Sequence, residues 1–553
     1  MRRRVRDIRT IEVPRFGELE TAGGRLFALR FRPPQQQPVL VVLPSADRPD
    51  EARVLVDLNQ IDPSGGTAMD WYEPSLDGRR VAVSLAQGGS ERGDVHVYEV
   101  DSGRPLADVV PRVNYGTAGG SLAWDARGEG FYYTRYPRQG ERPEADLDFY
   151  LQVYYHRLGL RPTGPLDPPR PFLPEGEAVI ESSFSWGATS RIVPTPDRLY
   201  LVEQMGGPER VRVLDRSGQE LGTVPLPEAS AVYQILPEAG RDALLVQSAS
   251  YVEPMTWYRF GPGAAAGAGR LTKTSLSVEF PISLRDATVS REWAVSKDGA
   301  RVPLTVIAPK GAPRDAARPT LLTGYGGYGI SLTPYFDPGL RLWLDQGGVF
   351  AIANLRGGGE FGQAWRDAGR LVAKQNVFDD FIACAEQLVK ARYTSPKRLA
   401  IEGGSNGGLL MGAALTQRPE LFAAVVSHVG IYDMLRVELW PNGAFNVPEF
   451  GSVEDPAQFR ALLAYSPYHH VKDGAAYPPV LLPTGTNDPR VDPMHSRKMA
   501  ARLQAAAGGR SLVLLRASAS SGHGIGTGLD ERIALEADVW AFLFAELGVT
   551  ARS

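Results

Sequence analysis

The sequence predicts two unlike parts. The N-terminal half is built of short β-strands, and the C-terminal half alternates strands and helices around a mostly parallel, doubly wound sheet. Three observations carry that division. Up to about residue 280, short alternating strands are cut by Gly and Asp turns. Beyond about residue 283, apolar runs of strand length lead into stretches of helical periodicity. The third is Glu402-Gly403-Gly404-Ser405-Asn406-Gly407-Gly408, set between the apolar run Arg398–Ile401 and a helix-like stretch from Leu409.

In the N-terminal half, Val81–Ser84 follows the turn Asp77-Gly78, and His96–Val100 precedes Asp101-Ser102-Gly103. Phe131–Thr134 follows Gly128-Glu129-Gly130, Leu199–Val202 follows Pro196-Asp197, and Leu244–Gln247 follows Gly240-Arg241-Asp242. Gly78 and Gly128 are 50 residues apart, Arg198 and Gly240 42 apart. Such periods suit four-stranded propeller blades, with a β-sandwich as the alternative that so degenerate a repeat leaves open. Residues 136–176, rich in Pro and Arg, read as a long inter-strand excursion, and Gly261–Gly269 as a loop.

In the C-terminal half, Arg301–Pro309 is a strand beside the turn Asp298-Gly299. Thr320–Leu322 runs into Gly324-Tyr325-Gly326-Gly327-Tyr328, and Val349–Ala353 into Asn354-Leu355-Arg356-Gly357-Gly358-Gly359. A helix over about Asp379–Ala391 precedes the glycine-rich serine segment, and Asp530–Leu547 forms a last amphipathic helix. This is the α/β-hydrolase layout. In it, a strand, a sharp turn with serine at the tip and a helix form a nucleophile elbow. Small residues flank the serine because the turn leaves little room for a Cβ, and the helix N-terminus behind it favours developing negative charge.

In this layout the partners follow in the chain order Ser, Asp or Glu, His. The buried strand Pro479–Thr484 runs into Gly485-Thr486-Asn487-Asp488, which puts a carboxylate just past a strand end. After a helix over about Pro493–Ala506 and the strand Leu512–Leu515 comes Ser521-Gly522-His523-Gly524, a histidine on a glycine-flanked loop. The assignment is Ser405 as nucleophile, His523 as general base and then acid, and Asp488 orienting the imidazole. Asp492 and Asp433 are rival carboxylates. His428 ends an apolar strand and reads as structural. His469-His470 lacks carboxylates at ligand spacing, so no metal site is expected there.

The chain has 553 residues, enough for two or more domains with a large core. Hydrophobic residues at 43% and charged residues at 22% describe a soluble globular protein. A formal net charge of -3 gives no electrostatic case for nucleic acid or anionic membranes as partners. The single cysteine, Cys384, lies in a predicted helix and excludes a disulfide framework. No apolar segment follows the basic start Met1-Arg2-Arg3-Arg4, and no stretch has transmembrane length, so cytoplasmic residence is the expectation.

The C-terminal region, about residues 285–553, resembles the prolyl oligopeptidase family of serine peptidases. The resemblance is carried by Tyr325–Tyr328, Asn354–Gly362, Lys374–Phe381, Tyr393–Leu399, Gly403–Gly408 and Tyr465–Pro467. The N-terminal half is similar to that family's seven-bladed propeller through the region of Asp77-Gly78 and through Asp146–Gly159. The resemblance implies a β-propeller of six or seven blades over residues 1–282 and an α/β-hydrolase catalytic domain over 283–553. It implies that Tyr325 and the backbone N–H of Asn406 form the oxyanion hole. It also implies that Arg490 holds a substrate carbonyl, and that Tyr328, Ile431, Phe450 and Val491 line a pocket for a proline ring.

Three departures from the family pattern stand out. Counting from Ser405 puts Asn446 where the family stacks a tryptophan on the proline, with Phe445 next to it. The family's N-terminal helical segment, packed on the hydrolase domain, is not evident, and the chain is read as beginning just before the first blade. The propeller half is also short. The expected activity is hydrolysis of short peptides, on the carboxyl side of proline, with no metal or organic cofactor. Alternatives are an oligopeptidase preferring basic residues, for which Glu449 is the nearby acid, or small ones; an esterase of the same fold; and a non-catalytic binding propeller. The oligomeric state is not legible.

Overall fold

A computed structural model describes residues 1–550 except 91, 114–120, 126, 136–139, 141–151, 160–162, 166–191, 196, 205, 216–218, 239–242, 262–268, 278 and 441. The N-terminal strands form five four-stranded antiparallel sheets among the described residues. The first comprises Arg15–Ala22, Arg25–Phe31, Val39–Leu43 and Arg53–Asp57, and the second Thr67–Pro74, Arg80–Gln87, Asp94–Glu99 and Pro105–Val110. The third comprises Ser121–Trp124, Gly130–Arg135, Gln152–Arg157 and Thr163–Pro165. The fourth is Ile192–Pro194, Arg198–Gln204, Glu209–Asp215 and Glu220–Thr223, and the fifth Ser230–Pro237, Leu244–Ser250, Thr256–Gly261 and Arg270–Lys273.

Each sheet is a meander of consecutive strands. Apolar clusters join the first sheet to the second, the second to the third, the fourth to the fifth, and the fifth back to the first. That closure decides for a propeller over a sandwich, which would pair two sheets only. Gln234 of the fifth sheet accepts from Leu19 N of the first at 2.8 Å, and the indole of Trp257 donates to Phe16 O at 3.0 Å. Gly78 and Gly128, at φ 66° and 65°, make equivalent turns before the second strand of neighbouring sheets, as the 50-residue spacing implied. A sixth or seventh blade would have to draw its strands from outside the described residues. The expected excursion over 136–176 falls largely outside them, and its described parts, Gln152–Arg157 and Thr163–Pro165, are strand.

The C-terminal half contains one eight-stranded sheet: β1 (Ala287–Val295), β2 (Arg301–Pro309), β3 (Thr320–Gly324), β4 (Val349–Ala353), β5 (Leu399–Gly404), β6 (Ala424–His428), β7 (Val480–Gly485) and β8 (Val513–Ser518). Their order is β1-β2-β4-β3-β5-β6-β7-β8, antiparallel at β1/β2 and β2/β4 and parallel elsewhere. Among its helices, those used below are α1 (Arg2–Arg9), α2 (Gln375–Lys390), α3 (Asn406–Gln417), α4 (Gly443–Phe450), α5 (Met494–Ala507) and α6 (Leu529–Glu546). One apolar core joins α2, α3, α4 and α5 to one face of the sheet, and a second joins α1, α6 and Leu340–Leu344 to the other. With both faces covered, the parallel strands read as continuous apolar runs.

The expectation that the chain begins just before the first blade is corrected by α1. Val5 is fully buried in the core under α6, and Arg9 bridges Glu536 at 2.7 Å and Asp337 at 2.8 Å. The helix escaped notice because five of its eight residues are Arg and only Val5 and Ile8 are apolar. Its anchoring carboxylates lie hundreds of residues away, where no periodicity can reveal them.

Candidate active site

Strand β5 ends at Gly404, Ser405 adopts φ 60° and ψ -121°, and α3 starts at once with Asn406. A positive φ at a non-glycine residue is strained. It is held here by neighbours: Ser405 N donates to His428 O of β6 at 2.9 Å. Gly408 cannot carry a side chain, because a Cβ would meet Gly430 Cα at 2.5 Å and His428 O at 2.8 Å. The hydroxyl therefore stands at the carboxyl end of the sheet, in front of a helix N-terminus.

Tyr325 follows β3, and its hydroxyl lies close to Ser405. Burial pushes this phenol up to about 12; the neighbouring Ser405 hydroxyl lowers it, Glu449 raises it and Arg490 lowers it. It stays an O–H donor across the physiological range. The Asn406 side chain, almost wholly buried, donates to Tyr325 O at 2.6 Å. One amide thus fixes the tyrosine loop to the helix start, so the two predicted oxyanion donors, Tyr325 O–H and Asn406 N–H, sit on linked elements.

Asp488 lies just past β7. Its Oδ1 accepts from Arg490 N and Val491 N, both at 2.9 Å, and its Oδ2 meets His523 Nδ1 at 2.7 Å. One carboxylate oxygen builds the turn while the other orients the imidazole. With Nδ1 as the donor to this carboxylate, Nε2 is left as the base. The rivals are engaged elsewhere. Asp492 accepts from Met494 N at 2.8 Å at the start of α5, and buried Asp433 is paired with Arg436 and Lys498. His428 bonds Glu402 at 2.9 Å, His469 bonds Ser466 at 2.8 Å, and His470 meets Leu463 O at 2.8 Å. Among the described residues no group of three or more His, Cys, Asp or Glu could hold a metal ion.

The His523 loop is pressed against the propeller. A Cβ on Gly522 would meet Gly89 O at 2.2 Å, and Asn487 donates to Gly88 O at 3.3 Å. Gln37 of the first blade donates to Gly526 O at 3.0 Å. Two glycines allow this close approach of backbones from opposite halves of the chain.

Comparison with known proteins agrees with the two-part architecture. Residues 334–550 match the model of the prolyl oligopeptidase family, and residues 8–163 match that of the prolyl oligopeptidase N-terminal β-propeller domain. A solved structure from a study of two prolyl endopeptidases superposes with a TM-score of 0.88 at 31% identity, covering 100% of this chain and 92% of that one. The chain belongs to the prolyl oligopeptidase family. It is therefore a serine peptidase with a propeller and an α/β-hydrolase domain. The prolyl endopeptidase of Elizabethkingia meningoseptica is 28% identical over 92% of this chain and 83% of its own length. That of Dictyostelium discoideum is 44% identical over 46% of this chain and 34% of its own.

In this prolyl oligopeptidase-family chain, a cleft of about 290 Å³ opens beside Asp488. Ile431, Asn446, Arg490 and Val491, all expected at the substrate, line it, and Ser90 and Arg92 close it from the propeller side. Tyr328 and Phe450 stand behind rather than along it. The Tyr328 hydroxyl donates to Asn446 Oδ1 at 2.6 Å, while Phe450 is fully buried, edge-on to Tyr328 with ring centroids 5.7 Å apart. Phe445 stacks on Tyr328 at 6.1 Å and is 54% exposed.

Sequence reading passed over Trp440, which lines the same cleft with its indole N–H buried and without a hydrogen-bond partner among the described residues. Counting from Ser405 could not find it, because the aromatic wall comes from a different turn of the loop. Glu449 is 3% exposed and paired with Lys374 at 2.7 Å. It offers no spare charge to a basic substrate side chain.

Proposed function

We propose that this peptidase hydrolyses short peptides on the carboxyl side of proline through an acyl-enzyme on Ser405. The observation that carries the reading is Ser405 at a strained elbow with Tyr325 close to it, together with the His523 imidazole bound to Asp488. In the first half-reaction His523 Nε2 takes the Ser405 proton as the oxygen attacks the scissile carbonyl. Tyr325 O–H and Asn406 N–H receive the oxyanion. Collapse of the tetrahedral adduct breaks the C–N bond, and the imidazolium protonates the departing amine. Water then attacks the ester by the same proton route and releases the acid and the free serine.

Arg490 would hold a carbonyl of the substrate, and the apolar and aromatic groups Ile431, Val491 and Trp440 would take a pyrrolidine ring. The relatives named prolyl endopeptidase support proline as the preferred residue. Short substrates follow from the propeller loops lying against both the cleft and the His523 loop. The two domains divide near residue 283 in this reading. Among the described residues no helix is long and apolar enough to cross a membrane, and the one cysteine, Cys384, is buried and free, which suits a cytoplasmic enzyme.

The test is a panel of fluorogenic peptides ending in Pro, Arg or Ala, with Ser405→Ala as control. Fastest release after Pro is expected. Fastest release after Arg would contradict the proline reading, and cleavage of p-nitrophenyl esters with all peptides intact would make the protein an esterase.

A further inference from the structure

A buried ion pair behind the cleft is used by none of the steps above. Lys374, immediately before α2, is 1% exposed, and its ammonium donates to Glu449 Oε1 at 2.7 Å and to Gly326 O at 3.0 Å. It also lies over the ring of Phe450, 5.2 Å from its centroid. Burying both charges is unfavourable compared with a well-packed apolar pair, so stability alone is a poor reason for it.

Its partners suggest another reason. Gly326 follows Tyr325 directly, at φ 63°, in a space so tight that a Cβ would meet Val377 Cγ1 at 2.3 Å. Tyr328, two residues on, also has a positive φ, 57°, an uncommon conformation for a bulky side chain. The carbonyl gripped by Lys374 thus lies between the oxyanion tyrosine and the tyrosine behind the cleft. Glu449 sits on α4 between Asn446, which accepts the Tyr328 hydroxyl bond, and Phe450, which packs edge-on to Tyr328. One ammonium therefore ties the Tyr325–Tyr328 loop to the helix bearing the cleft residue Asn446.

We propose that the Lys374–Glu449 pair is a positioning device that holds the Tyr325 hydroxyl and the Tyr328–Asn446 wall in one register, linking oxyanion stabilisation to recognition of the residue at the scissile bond. This rests on the reading of Ser405 as nucleophile and Tyr325 as oxyanion donor. Neither Lys374 nor Glu449 touches substrate; both act through the two tyrosines.

The decisive variant is Lys374→Met/Glu449→Gln, which removes both charges together and strands neither. Active sites are counted by fluorophosphonate labelling, and Pro and Ala peptides are compared. The kcat per labelled site should fall by about tenfold or more, as expected for a displaced oxyanion donor, with KM changing less than about threefold. The Pro-to-Ala ratio of kcat/KM should fall as well. Glu449→Asp keeps both charges but shortens the reach to Lys374 and should show smaller changes in the same direction, so it decides the matter if the double variant does not fold. A purely structural pair would lower the melting temperature and the number of labelled sites, leaving kcat per site and the selectivity ratio within about twofold of the parent; that result overturns the proposal. A parent that neither labels at Ser405 nor cleaves any peptide removes the underlying reading, and the proposal falls with it.

Discussion

The propeller and the hydrolase domain are held together by different means. Blade packs on blade through apolar sheet faces, with a few amide and indole latches such as Gln234 to Leu19 and Trp257 to Phe16. The hydrolase sheet also has apolar faces, but its catalytic edge is held by buried charges and strained backbone. Arg356 is buried against Asp380 at 2.6 Å, Lys374 against Glu449 at 2.7 Å, and Asp488 against His523 at 2.7 Å. Ser405 and Tyr328 occupy positive φ. An apolar face can be built by many sequences, whereas a strained turn or a buried charge restricts its neighbours sharply. The first kind of region tolerates drift, and the second is where single changes should be felt most.

Substitutions at the catalytic edge should therefore act on rate rather than on stability. Ser405→Ala should lower kcat by roughly a millionfold with little change in the melting temperature, measured on the best peptide substrate. A variant that keeps more than a trace of turnover would point to another nucleophile. Tyr325→Phe should cost about a hundredfold in kcat with KM nearly unchanged, the signature of a lost oxyanion donor. An equal rise in KM would instead mark Tyr325 as a binding residue.

The contact between the two halves gives a smaller effect. Gly522→Ala would drive a Cβ to 2.2 Å from Gly89 O. The His523 loop must then move from the propeller, with a loss of about tenfold in kcat. Unchanged kinetics would show that the propeller does not help position the imidazole.

The smallest effect belongs to the propeller alone. Glu20 on the first strand of one blade and Glu73 on the first strand of the next are each raised to about 7, chiefly by burial, and Glu20 also by Glu73 and Glu18. The folded state therefore holds protons that the unfolded chain releases above about 4.5, and stability should decline as pH rises from there through about 7. Glu20→Gln/Glu73→Gln should raise the melting temperature more at pH 8 than at pH 5. An equal gain at both would remove this account of the acids.

The same contrast explains what could be read from the chain. Ser405, Asp488 and His523 were legible because an elbow, a strand-end carboxylate and a glycine-flanked loop each leave a local mark in fixed order. The blades were legible only as turns before second strands, at Gly78 and Gly128, since alternation alone does not count sheets. Helix α2 starts at Gln375, four residues before the Asp379 start read from the sequence. Trp440, α1, the Gly89–Gly522 approach and the Lys374–Glu449 pair were not legible. Each depends on groups distant in sequence meeting in space, and each looks locally like an ordinary loop or surface residue.

The central claim is that the His523 imidazole activates the Ser405 hydroxyl, and mapping a fluorophosphonate adduct by mass spectrometry tests it most directly. The account predicts one adduct, on Ser405, lost when His523 is replaced by Ala in a protein that still melts cooperatively. An adduct on another serine, or undiminished labelling of Ser405 without the imidazole, would contradict it.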